Sequence, residues 1–179
     1  MIVQQIWTAN AFRTFNYLIV CEETGEALAV DPLDHEKCLK VARDHGYAIT
    51  QILNTHEQRD HAGGNEPVVR QMGAKVLAHK NAKDAIPGMD RGLGAGNCHH
   101  GGHPAERYRT FAEQLAKLPV PTLVYPGHDY IENNLCFTLD REPDNASARE
   151  GLAIQRHLGE HLGPWPAQSI GDCVLNAPG

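Results

Sequence analysis

Long apolar runs are missing from this 179-residue chain. No stretch approaches the roughly 18 apolar residues that a membrane helix needs, which excludes a helical span. Basic runs are missing as well. The net charge is −6, with 16 Lys and Arg against 22 Asp and Glu. That balance repels phosphate backbones and anionic lipid surfaces, so neither nucleic acid nor membrane is expected as a partner. The start, Met1-Ile2-Val3-Gln4-Gln5, has neither the charged region nor the apolar core of a secretory leader. Cysteines are few: Cys21, Cys38, Cys98, Cys136 and Cys173, an odd number widely spread. They do not form a disulfide framework and read as reduced thiols, so the expected compartment is cytoplasmic. Nothing resembles the strained serine turn of an α/β-hydrolase. Cys98 beside His99 is a nucleophile pair only on paper, because adjacent side chains rarely face each other.

What remains is an ordinary soluble composition, 41% apolar and 21% charged, of a length that suits one domain with a real core. Histidine is abundant, with eleven residues. Ile2–Ile6 and Phe15–Val20 read as strands, and Glu23-Thr24-Gly25 turns into a third, Ala27–Val30. Asp34 can cap a helix that runs to His45 and stops at Gly46. Ile49–Asn54 is a strand, Asn65–Met72 a helix stopped by Gly73, and Lys75–Ala78 another strand. This alternation predicts helices packed on a sheet. Residues 87–103 contain six glycines without periodicity and read as one long loop. Cys98, His99, His100 and His103 within it match no standard zinc spacing. Pro104 opens a helix through Lys117 whose apolar stripe, Tyr108, Phe111, Leu115 and Leu118, is a core face. Thr122–Tyr125 reads as a buried strand, Ile131–Leu139 as helix, and Asn145 as the cap of a last helix to about Leu162.

The chemistry concentrates in Asn54-Thr55-His56-Glu57-Gln58-Arg59-Asp60-His61-Ala62-Gly63-Gly64-Asn65. Two imidazoles and a carboxylate lie within six residues at the end of a stiff strand, and two glycines let the chain turn tightly. Borderline-soft nitrogens beside an anionic oxygen suit a transition metal. A third histidine, His128, leaves a strand end in a second stretch, Val124-Tyr125-Pro126-Gly127-His128-Asp129-Tyr130.

The first stretch resembles the His-x-His-x-Asp-His signature of the metallo-β-lactamase superfamily, with His56, Asp60 and His61 in register and Gln58 at the second histidine position. The second stretch, with Asn133-Asn134-Leu135 and Arg141-Glu142-Pro143-Asp144-Asn145, is similar to the closing part of glyoxalase II, the hydroxyacylglutathione hydrolases. The resemblance implies an α/β fold, a truncated metallo-β-lactamase-like αββα sandwich over residues 1–165, internally shortened near 87–103, followed by an irregular tail, 166–179. It implies metal ligands His56, Asp60, His61 and His128, with Asp60 and His61 catalytic and Tyr130 against the glutathione part of a substrate. Asp31 reads equally as a turn aspartate before Pro32 and, by the resemblance, as a support behind the metal site.

The resemblance also implies hydrolysis of S-D-lactoylglutathione to D-lactate and glutathione. Two metal ions serve the family. This chain lacks the second motif histidine, the downstream glycine-histidine motif and the bridging aspartate. The expectation is therefore one zinc or iron ion per chain. The alternative is a non-catalytic metal-binding or oligomerising relative that has lost the dinuclear site. Missing strands would expose apolar sheet, which makes a homodimer the expected cover.

Overall fold

Two β-rich runs at the start pair before any helix forms. In the computed structural model, which describes residues 1–94, 112–113, 117–161 and 168–169, β1 (Ile2–Trp7), β2 (Phe15–Val20) and β3 (Glu26–Val30) make an antiparallel meander. The chain then changes hand. Helix α1 (His35–His45) crosses to β4 (Ala48–Leu53), and α2 (Arg59–Ala62) with α3 (Asn65–Met72) crosses to β5 (Lys75–His79). A short 3-10 turn, Lys80–Ala82, leads on to β6 (Met89–Leu93). The sheet order is β1-β2-β3-β4-β5-β6, and β3, β4, β5 and β6 run parallel. Parallel neighbours need crossovers, and the helices supply the first two.

One sheet face carries the core. Leu18, Val20, Ala27, Ala29, Ile49, Ile52, Val76 and Ala78 pack against Cys38, Leu39 and Ala42 of α1 and Val68 of α3. Ile49 and Ile52 are three residues apart, so strict alternation would place them on opposite faces. A register shift between β3 and β4 at Ala27/Leu28 lets both reach the core. On the other face Trp7, Phe15 and Tyr17 form an aromatic row, with ring centroids 5.0 and 6.4 Å apart.

The helix ends follow their sequence signals. Asp34 Oδ1 accepts from Lys37 N at 3.1 Å, and Gly46 closes α1 at φ 72°. Gly73 closes α3 at φ 65°, a left-handed conformation that glycine adopts without steric cost.

Three non-glycine residues in the described chain also have positive φ: Ala9 (56°), Arg13 (53°) and Asp31 (47°). Each such position costs about 1–3 kcal/mol and persists only where its surroundings hold it. All three lie at the same sheet edge. That edge is where β3, β4 and β5 end and where β2, antiparallel to β3, begins.

Two expectations need correcting. Residues 87–103 were expected to form one loop, but Met89–Leu93 is an edge strand in register with β5. The segment is apolar only at its ends. Its strand state comes from the open backbone edge of β5 rather than from side-chain periodicity. A Cβ on Gly92 would lie 3.0 Å from Lys80, a tight approach. Thr122–Tyr125 was expected as a buried strand. Only β7 (Leu123–Val124) forms, and Leu123 and Tyr125 are 53% and 41% exposed.

The chain divides into two compact units, Met1–Gly101 and Gly102–Gly179. In the second unit, α4 (Ile131–Arg141) and α5 (Ala146–His161) pack together, and Arg156 Nε lies 3.0 Å from Glu132 Oε1. Asn145 caps α5, its Oδ1 accepting from Ala148 N at 2.9 Å. Strand β8 (Gln168–Ser169) pairs antiparallel with β7. The loop residues Cys98, His99, His100 and His103 lie outside the described residues. So does the helix expected at 104–117, apart from helical positions 112 and 113 and residue 117, and so does most of the tail 166–179. Among the described residues, no helix is long and apolar enough to cross a membrane.

Cys21, Cys38 and Cys136 carry free thiols. Burial raises the Cys38 thiol from its ordinary value of 9.0 to about 12, while hydrogen bonds from Thr24 lower that of exposed Cys21. At pH 8 iodoacetamide should therefore alkylate Cys21 well before Cys38, which should react only after unfolding; peptide mass spectrometry reads the order. The raised Cys38 pKa stabilises the fold fully below pH 9. That contribution should disappear as pH rises through about 12.

Candidate metal centre

Strand β4 ends in Asn54, a buried residue whose backbone N–H donates to Leu77 O at 2.9 Å. Its side chain donates to His61 O at 3.3 Å and to Asn65 Oδ1 at 3.2 Å, and Asn65 Nδ2 returns a bond to Asn54 Oδ1 at 2.6 Å. This reciprocal amide pair closes residues 55–64 into a fixed loop. The two glycines were expected to allow a tight turn. The reason is close approach rather than unusual φ, since Gly63 and Gly64 sit at −65° and −94°. A Cβ on Gly64 would lie 1.8 Å from the Pro32 carbonyl oxygen. The loop that carries the histidines is thereby pressed onto the loop that follows β3.

Asp31 occupies the middle of that contact. Its side chain is 5% exposed and that of His61 is 3% exposed. Asp31 Oδ1 accepts from Thr55 N at 2.8 Å, while Oδ2 accepts from the Thr55 hydroxyl at 2.6 Å and from His61 Nδ1 at 2.9 Å. Asn16 holds the Asp31 backbone from the other side: its amide donates to the Asp31 carbonyl, and its Oδ1 accepts from Asp34 N at 3.0 Å. Of the two readings of Asp31, the geometry supports the one behind the site.

A carboxylate can only accept, so His61 carries its proton on Nδ1 and, in the neutral ring, a lone pair on Nε2. That Nε2 lies 3.4 Å from Asp60 Oδ2. An imidazole lone pair and a carboxylate oxygen so close together repel unless a cation is shared between them. A histidine whose second nitrogen donates to a carboxylate is the usual support of a metal-ligating imidazole. On donor chemistry and orientation, the residues fit a metal ion.

The His56 ring packs on His61 with centroids 3.9 Å apart. Its Nδ1 lies 2.9 Å from Thr55 Oγ1, and its Nε2 lies 3.0 Å from the Gln58 side-chain amide. The Thr55 hydroxyl proton is committed to Asp31, so Nδ1 of His56 donates to Thr55. His56, Asp60 and His61 thus share the loop that β4 delivers. The other two expected residues belong to the second unit. There His128 is half-buried and stacks on Tyr130, with centroids 4.8 Å apart and planes at 13°. Tyr130 is 43% exposed, and Asp129 between them is buried. Asn16, Asn54 and Asn65 escaped the sequence reading. The only signal was the placing of Asn54 and Asn65 on the flanks of the metal-type motif; Asn16, in β2, had none.

Two solved structures share this fold. ETHE1 from Myxococcus xanthus superposes with a TM-score of 0.60 over 93% of this chain and 92% of that one, at 21% identity. A di-iron-bound form of TTHA1623 does so with a TM-score of 0.57 over 72% and 92%, at 20% identity. The chain is an α/β protein of the metallo-β-lactamase fold. No family model matches it. It is 48% identical to a hydroxyacylglutathione hydrolase of Nitrosococcus oceani over 200 aligned residues, covering 86% of this chain and 76% of the relative. It is 50% identical to one of Polaromonas sp., covering 83% and 74%, and 32% identical to a cytoplasmic one of Arabidopsis thaliana, covering 79% and 74%. It belongs to the hydroxyacylglutathione hydrolase (glyoxalase II) family. In the Nitrosococcus alignment, 86% of 179 residues is about 154, so about 46 of the 200 positions have no counterpart here. The chain is shorter than its relatives.

Removing the Asp31 carboxylate would leave three donors without their acceptor in a nearly solvent-free place. Asp31→Ala should lower unfolding stability by about 2–4 kcal/mol in urea titration, and Asp31→Asn, which keeps one acceptor oxygen, by less.

Proposed function

We propose that this chain hydrolyses glutathione thioesters, with S-D-lactoylglutathione as substrate and D-lactate and glutathione as products. The carrying observation is the arrangement in which Asp31 fixes the Nδ1 proton of His61 and leaves Nε2 beside Asp60, in a chain about half identical to hydroxyacylglutathione hydrolases. Asp60 and His61 are the catalytic pair. The family resemblance adds His128 to them, a two-histidine, one-carboxylate donor set for one zinc or iron ion per chain. His56 is the one donor retained of a second ion position. A divalent ion bound there supplies Lewis acidity toward the thioester carbonyl and toward ionisation of water.

The chain's own groups do the rest. Asp31 keeps the His61 ring in one tautomer, so its lone pair is presented without reorganisation. Tyr130, stacked on His128, offers an aromatic face and a hydroxyl to the glutathione part. Residues 1–165 act as one catalytic domain, the expected compartment is the cytoplasm, and a homodimer covers sheet left open by the missing strands. Light scattering during gel filtration should then give about twice the chain mass of 19.7 kDa.

A second reading is a non-catalytic relative that keeps a metal site. Gln58 and the roughly 46 missing positions favour it. Elemental analysis of protein purified without added metal, with S-D-lactoylglutathione hydrolysis on the same sample, separates the two. About one zinc or iron per chain with turnover, both lost in His61→Ala and His128→Ala, is the expected result. Metal without turnover would establish the second reading. Protein without metal would end both.

A further inference from the structure

Two histidines share the loop after β4, and their nitrogens meet different partners. His61 gives Nδ1 to the Asp31 carboxylate at 2.9 Å, and its Nε2 lies 3.4 Å from the Asp60 carboxylate. The His56 ring centroid is only 3.9 Å from that of His61. Yet each nitrogen of His56 has an uncharged side chain within hydrogen-bond distance. Thr55 Oγ1 lies 2.9 Å from Nδ1, and the Gln58 amide lies 3.0 Å from Nε2. Carboxylates on both sides of an imidazole favour a cation at its lone pair, and His61 has them. At His56 the same loop supplies a hydroxyl and an amide.

The proton positions follow from Asp31. A carboxylate only accepts, so both Thr55 groups that reach it are donors: the backbone N–H to Oδ1 at 2.8 Å and the hydroxyl to Oδ2 at 2.6 Å. The Thr55 oxygen then has only lone pairs left for His56, and Nδ1 is the protonated nitrogen of that ring. In the neutral imidazole Nε2 is bare. The two ends of an amide are alike in shape and opposite in hydrogen-bonding sign, so the network decides which one faces the ring. A bare nitrogen takes the N–H end. The protons therefore run in one direction: from Gln58 N–H to His56 Nε2, from His56 Nδ1–H to Thr55 Oγ1, and from Thr55 O–H to Asp31 Oδ2.

The fold holds this order in place. Thr55, His56 and Gln58 lie inside the loop that the Asn54–Asn65 amide pair closes. Asp31, the last acceptor, has a side chain only 5% exposed and is tied to His61 as well. Gln58 is the N-cap of α2, at φ −64° and ψ 146°, yet its side chain makes no cap bond. It is turned to His56 instead of to the open N–H groups of the helix that follows. A metal ion takes an imidazole through a bare nitrogen. On His56 that nitrogen already accepts a hydrogen bond, which an ion would have to break. We infer that Gln58 is a positioning residue that closes His56 to metal, so that the chain's ion is held without His56. This assignment rests on the metal-site reading above and places the ion on the His61 side of the loop.

The test uses the full chain as purified, with three readouts. By elemental analysis, His56→Ala should keep the wild-type metal content, whereas His61→Ala should lose it. Nitrogen-15 NMR of the zinc-loaded wild type should show the proton of His56 on Nδ1 and its Nε2 hydrogen-bonded, with the metal shift on Nε2 of His61 alone of the two. Diethyl pyrocarbonate acylates an imidazole at a bare nitrogen, and peptide mass spectrometry reads the rate at each histidine. Gln58→Ala should speed the reaction of His56 about fivefold and leave that of exposed His45 unchanged. Metal present in wild type but lost from His56→Ala would overturn the assignment and leave the metal-site reading standing. A metal-shifted Nε2 on His56, or equal His56 rates in wild type and Gln58→Ala, would overturn it as well. Wild type without metal would remove the metal-site reading and the assignment with it.

Discussion

The carboxylate of Asp31 is the constraint on which the metal centre depends. One buried group accepts three hydrogen bonds, two from Thr55 and one from His61. Those bonds join the end of β3 to the end of β4 and to the helical turn after it. A buried anion is unfavourable unless neighbouring donors compensate it. Here the donors are the residues that the site must hold still. The charge therefore anchors the loop and fixes the histidine tautomer by the same contacts. The left-handed backbone of Asp31 is the conformational cost of aiming its carboxylate there.

The rest of the edge is arranged around that anchor. Asn16 holds the backbone of Asp31 from β2, and the Asn54–Asn65 amide pair closes the histidine loop from below. Gly64 allows the two loops to approach so closely that any side chain would collide with Pro32. Each of these contacts is short in space and long in sequence, and each restricts motion of the same few atoms. Donors held in place before a cation arrives lose little conformational freedom when it binds, which is the physical meaning of a prepared site.

Family membership and the departures from it are both physical facts about this chain. The motif keeps Asp60 and His61, with the carboxylate support expected of a ligating imidazole. At the position of the second histidine, Gln58 presents a neutral amide 3.0 Å from His56 Nε2. An amide oxygen neither carries charge nor matches imidazole as a ligand for zinc or iron. A shortened chain that keeps one donor cluster and alters the other accounts for proposing one ion instead of two.

Many of the elements were legible in the sequence because their signals are local. Alternating apolar residues gave the ladders of β1 to β3 within a residue or so. The caps Asp34 and Asn145 and the stops Gly46 and Gly73 marked the helix ends, since a short polar side chain or a left-handed glycine acts on its own turn. The spacing marked His56, Asp60 and His61 as candidate donors, and the fold carries all three on the loop after β4. Strand β6 could not, because its pairing depends on the open edge of β5, and the register shift that brings Ile49 and Ile52 onto one face was equally invisible. By itself, then, the sequence determined the order of elements, the family and the chemical types at the site. Tertiary structure alone decided which of the two readings of Asp31 holds, which nitrogen of His61 faces Asp60, and that Arg13 stacks on Trp7. Those are relations between residues distant along the chain, and only packing and hydrogen bonding across strands can set them.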